Sequence, residues 1–212
     1  MKLGILAFCL LSLICKSHAQ SFVVSNLDEP ATFEFAFAEP ARWISTSFAT
    51  GSQPARLDRL TVELQTYDDD DFIALYSNSS TNSPLNELFR FLNPPEALAE
   101  VDRFRFNAPT AGDVNMLAAD TTYWLVFGVP SGDYTFGSTL SSSETGQWDI
   151  GEFETRRSND MGLTWPTTLT SYARFRIDAT TIPEPSEYAF AIALVMGIFI
   201  LVRRRRNRMT EF

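Results

Sequence analysis

An all-β fold, an antiparallel sandwich of jelly-roll character, is the class this sequence predicts for its central region. Three observations carry that expectation. Several short runs alternate apolar and polar side chains with period two, the mark of half-buried strands. Gly-, Pro- and Asn-bearing turn signals separate those runs. Aromatic and β-branched residues dominate, with 18 Phe in 212 residues, and no long stretch of the central region has helical periodicity.

The first run, Thr32–Phe37, places Phe33, Phe35 and Phe37 on one face. Leu60–Leu64 does the same with Leu60, Val62 and Leu64. Phe72–Tyr76 is more continuously apolar, as a strand covered on both faces should be. Phe104–Phe106 alternates again. Tyr123–Val129 is the most apolar stretch and is expected at the centre of the core. Tyr172–Ile177 reads as one further strand. Turns are expected at 51–54, 78–84, 93–95, 109–112 and 130–133, and Pro94–Glu100 could form one helical turn with prolines at its start. No internal repeat is present.

Both ends read as addresses. Lys2, the apolar Leu3–Cys15 and Ser17-His18-Ala19 have the layout of a signal peptide cut after Ala19. Ile14 stands before Cys15 where a lipoprotein signal would carry a small residue. At the other end come Pro183-Glu184-Pro185, an uncharged run from Tyr188 to Val202, and Arg203, Arg204, Arg205 and Arg206. As a helix the run is about 22 Å long against a hydrocarbon core of about 30 Å, so it is short for a permanent span. Snorkelling arginines and local thinning would still permit transient spanning. The arginine cluster is expected to stay cytoplasmic. The expected organisation is a signal peptide (1–19), an exported β-domain (20–179), a linker (180–187), a transmembrane helix (188–202) and a basic cytoplasmic tail (203–212).

Pro-Glu-Pro, a short apolar helix and an arginine cluster, in that order, resemble the PEP-CTERM sorting signal of Gram-negative bacteria. That resemblance implies processing near Pro183-Glu184-Pro185 by a membrane-embedded exosortase. It also implies release or attachment at the cell surface, alongside exopolysaccharide. In the body, Thr46–Ser52, Leu75-Tyr76-Ser77 and Leu117–Val126 are similar to the choice-of-anchor R domain. This second resemblance implies an exported β-sandwich and no particular activity.

Composition excludes much chemistry. Cys9, Cys15, His18, Lys2 and Lys16 all lie in the expected leader, and they are the only Cys, His and Lys of the chain. The exported region therefore cannot form a disulfide, a Ser-His-Asp triad, a Cys nucleophile, a Schiff-base lysine or a Cys/His zinc site. Between Gln20 and Glu187, 25 acidic residues face 10 arginines, a net charge of −15 that disfavours nucleic acid as a partner.

Three candidate sites remain. Ser158, Asp160, Gly162, Thr164 and Trp165 match the Asp-box pattern Ser-x-Asp-x-Gly-x-Thr-Trp, similar to the repeated turns of sialidase propellers. One copy cannot build a propeller, and the expected role is a folding clamp. Asp68, Asp69, Asp70 and Asp71 form a calcium candidate, or an acidic loop that guards a sheet end. Trp43, Trp124, Trp148 and Trp165 could stack on sugars or pack inside; Trp148, after Gly146-Gln147, is the best candidate for an exposed ring and Trp124 for a buried one. No motif selects a catalytic pair. The expectation is a non-enzymatic surface or matrix protein touching exopolysaccharide or another envelope polymer, and the alternative is a carboxylate-dependent glycan-cleaving enzyme.

Overall fold

The computed structural model describes residues 21–66, 71–92, 102–131, 134–141, 143–182, 193 and 195–200, with backbone alone for 21–23, 32–37, 65–66, 134 and 152–154. Ser21–Thr181 forms one compact unit. Its early strands are β1 (Ser21–Ser25), β2 (Thr32–Ala38), β3 (Trp43–Ala49), β4 (Ala55–Thr66) and β5 (Phe72–Asn78). The middle of the chain supplies β6 (Pro84–Arg90), β7 (Asp102–Asn107), β8 (Met116–Leu117), β9 (Thr122–Gly128) and β10 (Tyr134–Thr139). The last are β11 (Asp149–Ser158), β12 (Thr167–Leu169), β13 (Tyr172–Ala173) and β14 (Phe175–Thr181).

The strands make two sheets, and every pairing among the described residues is antiparallel. The smaller runs β12-β11-β3-β9-β5-β6. The larger follows β1-β14-β4-β10-β13, with β2 on β10 and both β7 and β8 on β4. Side chains from both sheets share one apolar cluster, which includes Ile44, Phe48, Leu75 and Leu125 from the smaller sheet and Leu57, Leu60, Val62 and Ile177 from the larger. The ring of Phe127 stacks on that of Phe136 with centroids 4.5 Å apart, joining β9 directly to β10. Two amphipathic sheets facing each other across such a layer are the sandwich that period-two patterning dictates.

Local sequence explains the strand details. Leu60, Val62 and Leu64 face the core together, as alternation requires. Leu57, three residues before Leu60, is also fully buried, because the register with β14 shifts between Asp178 and Ala179 and absorbs the odd residue at Asp58. In β9, Trp124, Leu125, Val126 and Phe127 are all fully buried, and the strand lies inside its sheet between β3 and β5. Gly128 ends it because a Cβ there would come within 2.1 Å of the Phe72 ring.

Some expectations need correction. Tyr172–Ile177 is not one strand: Tyr172–Ala173 pairs β10, whereas Phe175–Thr181 pairs β1 and β4. The break falls at Arg174, whose amide donates to the Gly137 carbonyl and whose carbonyl accepts from Glu63. Toward the C-terminus, Ala193 and residues 195–200 are helical, and among the described residues no helix is long and apolar enough to cross a membrane. The remainder of the expected span at 188–202, the leader, the Pro94–Glu100 turn, Pro183-Glu184-Pro185 and Arg203–Arg206 lie outside the described residues. So do the side chains of Phe33, Phe35 and Phe37 on β2.

Candidate functional site

The Asp-box segment closes the corner between β11 and β12. Ser158 is fully buried; its Oγ accepts from the amides of Asp160 (3.2 Å) and Gly162 (2.8 Å) and donates to Asp160 Oδ1 (2.7 Å). Asp160 Oδ1 also accepts from the Thr164 amide (2.8 Å), and Oδ2 accepts from the Thr164 hydroxyl (2.6 Å). Met161 and Gly162 take positive φ of 56° and 83°, the tight reversal this bonding needs. A Cβ on Gly162 would meet Trp43 Cε3 at 2.6 Å, so only glycine lets the turn lie on that ring. Trp165 is buried behind it. Both Asp160 oxygens are thus committed to the turn itself.

Those bonds set the acidity of Asp160. The Thr164 hydroxyl, then Ser158 and the Thr164 amide, hold its carboxyl below the ordinary aspartate value of 3.8. A group whose folded value is depressed stabilises fully above its unfolded value and stops doing so as pH falls through the folded one. The stability gap between wild type and Asp160→Asn is therefore expected to be full above about pH 3.8 and to shrink below it. Thermal melts across an acid pH series measure this, and a gap constant with pH would refute it. Ser158→Ala strands two part-buried amides and should cost about 1–3 kcal/mol at neutral pH.

The tryptophans do not form a sugar platform. Trp148 is buried, its ring stacked on Phe48 at 5.9 Å and 8° between planes, so its expected exposure is wrong. Trp124 is fully buried and donates from Nε1 to Asn78 Oδ1 at 2.9 Å, which ties up the Asn78 side chain. Trp43 is half-buried, donating to the Val129 carbonyl and meeting Phe72 edge-on. Of the acidic tetrad, Asp71 is buried at the start of β5 and Asp68–Asp70 lie outside the described residues. No cluster of three or more metal-ligating side chains occurs among the described residues.

The segments Thr46–Ser52, Leu75–Ser77 and Leu117–Val126 meet in space. β3, β9 and β5 are neighbours, with Ser47 opposite Trp124 and Leu75 opposite Leu125. Beyond the strands, Thr50 Oγ1 accepts from the Thr121 amide and donates to the Ala118 carbonyl, while the Tyr123 hydroxyl accepts from the Ala118 amide. These contacts pin a loop and expose no chemistry.

A feature absent from the sequence reading lies on the outer face of the larger sheet, where β7, β4 and β14 run side by side. Register builds three cross-strand rows there. In the first, Glu63 sits opposite Arg103 and beside Arg174. In the second, Thr61 sits between Arg105 and Arg176, and in the third Arg59 sits between Asn107 and Asp178. In the first row one carboxylate is shared by two arginines: the buried Arg174 guanidinium donates to Glu63 Oε1 and to the Leu27 carbonyl. Arg103 approaches the other Glu63 oxygen at 3.8 Å and also donates to Leu27. Arg176 pairs with Asp178 at 2.8 Å. Arg59 and Arg105 are exposed, and no hydrogen bond or ion pair of either side chain is found among the described residues. Arg59, Thr61, Arg103, Arg105, Arg176 and Asp178 of these rows line an open cavity of about 210 Å³.

In comparisons with known proteins, the chain matches no protein family, no curated protein and no solved structure.

Proposed function

We propose that the chain is an exported cell-surface or matrix protein, sorted by an exosortase-type system, whose β-sandwich serves as a non-enzymatic module touching an envelope polymer such as exopolysaccharide. The observation that carries this reading is the ordered tail: Pro183-Glu184-Pro185, the apolar run to Val202, then four consecutive arginines. The exposed apolar side chains of Met196, Ile198, Phe199 and Ile200 support a membrane-directed role for that segment. The resemblance of the body to the choice-of-anchor R domain points to the same location. The absence of Cys, His and Lys from the exported region supports a binding role over nucleophilic catalysis.

Intact-mass measurement of the exported protein tests the sorting. The expected mass lacks residues 1–19 and ends near the Pro-Glu-Pro motif. A mature surface protein still carrying Arg203–Arg206 overturns processing and leaves a plain C-terminal anchor. Incubation with an array of neutral and acidic glycans tests the module. Binding without product is expected, whereas product formation abolished by a single carboxylate replacement establishes the glycan-cleaving alternative.

A further inference from the structure

We propose that the groove over β7, β4 and β14 is an oxyanion site, seating a carboxylate of an acidic polysaccharide over Thr61 between Arg105 and Arg176. It deepens the polymer-binding reading above and rests on it for the choice of a glycan as the source of the anion.

The argument starts from the neighbouring row. Arg174, at the residue just before β14, forms with Glu63 on β4 and Arg103 on β7 an arginine–carboxylate–arginine arrangement. One step along β4 the same arrangement recurs with its centre changed: Arg176 and Arg105 flank Thr61, and no carboxylate lies between them. A carboxylate from outside, placed over Thr61, would complete the second row as Glu63 completes the first. Thr61 is buried and forms a polar floor, while Arg59, Arg105 and Arg176 are exposed and form walls. Planar guanidinium groups suit a carboxylate because they present paired N–H donors to its two oxygens.

Charge makes the placement informative. Like charges facing each other across strands destabilise a sheet. Yet Arg59, Arg103, Arg105, Arg174 and Arg176, half of the ten arginines between Gln20 and Glu187, converge on one face of a strongly acidic region. Glu63 and Asp178 engage Arg174 and Arg176 respectively, which leaves Arg59 and Arg105 directed at the groove without an acid of their own among the described residues. Successive outward positions on a strand lie about 7 Å apart, so Arg103 and Arg105 repeat charge along the groove. A polymer that carries an acid on each repeat can follow such a line, whereas a single small anion uses one row alone.

The test is titration of the full-length chain with oligogalacturonate, a carboxylate-bearing glycan, with sodium sulfate and with a neutral cello-oligosaccharide as separate arms. Oligogalacturonate should bind and be displaced by salt. Arg105→Gln and Arg59→Gln should each weaken binding about tenfold or more, and Arg90→Gln, on the other sheet, should not. Thr61→Glu supplies the missing acid internally and should abolish binding while keeping or raising the melting temperature. Arg105→Glu, on an exposed position, gives a second loss-of-binding variant if Thr61→Glu does not fold. Oligogalacturonate binding unaffected by the Arg59, Arg105 and Thr61 changes overturns the site. Binding of sulfate alone overturns the glycan assignment. Binding of the neutral sugar alone overturns the oxyanion site but leaves the polymer-binding reading standing, and silence in all three arms overturns both.

Discussion

Replacing Arg174 with alanine should destabilise the folded chain by about 3–5 kcal/mol, because it leaves a buried carboxylate without its principal partner. Glu63 is 8% exposed and Arg174 7%, so neither charge can turn to water without opening the sheet. Arg103 remains nearby, but at 3.8 Å from Glu63 and half exposed it replaces little of the lost interaction. Gly137 makes room for the carboxylate, since a Cβ there would sit 2.5 Å from Glu63 Oε1. Leu27 also loses a donor to its carbonyl. The double replacement Glu63→Leu/Arg174→Leu should recover most of the loss, since removing both charges removes the desolvation cost with the attraction. Urea denaturation of Glu63→Leu, Arg174→Leu and the double closes the cycle. Single-variant costs below about 1 kcal/mol would show that the pair behaves as a solvated surface contact.

Trp124→Ala should cost a similar amount, about 3–5 kcal/mol, from lost burial and the cavity left behind. Its ring is fully buried in the middle strand of the smaller sheet, and its Nε1 is the donor that satisfies Asn78 Oδ1. Trp124→Phe should cost less, since it keeps most of the apolar contact and forfeits the hydrogen bond. Trp43→Ala is the internal comparison: that ring is half-buried, so its removal should cost less than removal of Trp124. Equal losses at the two positions, read from the same urea midpoints, would contradict the burial ranking.

The two cases mark where the sequence is readable. Trp124 sits in an uninterrupted apolar run, and burial of the whole run follows from its composition. The Asp-box turn is readable for a related reason: its hydrogen bonds join residues two to four apart, so the motif contains its own partners. Trp148 misleads because its neighbours Gly146 and Gln147 say nothing of Phe48, a hundred positions earlier, on which its ring lies. Glu63 and Arg174 occupy the polar phase of alternating runs, which period-two logic assigns to solvent. Only the contact between chain positions 111 residues apart reveals that they bury each other. The arginine rows are hidden for the same reason. Each of β4, β7 and β14 carries ordinary outward arginines, and the pattern exists only once three distant segments take register.

The long strand β4 has a kinetic consequence. It hydrogen-bonds to β7, β8, β10 and β14, and β1 in turn joins its sheet through β14. A chain emerging from its N-terminus therefore holds most of β1, and Ala55–Val62 on one side of β4, unpaired until Phe175–Thr181 arrives. Pairing across such separations is slow, because loop-closure entropy is spent before any contact compensates it. During that interval two apolar strand edges stand open to any neighbouring chain, the condition under which sheets aggregate. A nascent chain halted before Phe175 has every core residue of β4 and β9 but no strand to close its larger sheet, and should fall to chaperones or proteases. Folding competence thus rests on the last strand to be made.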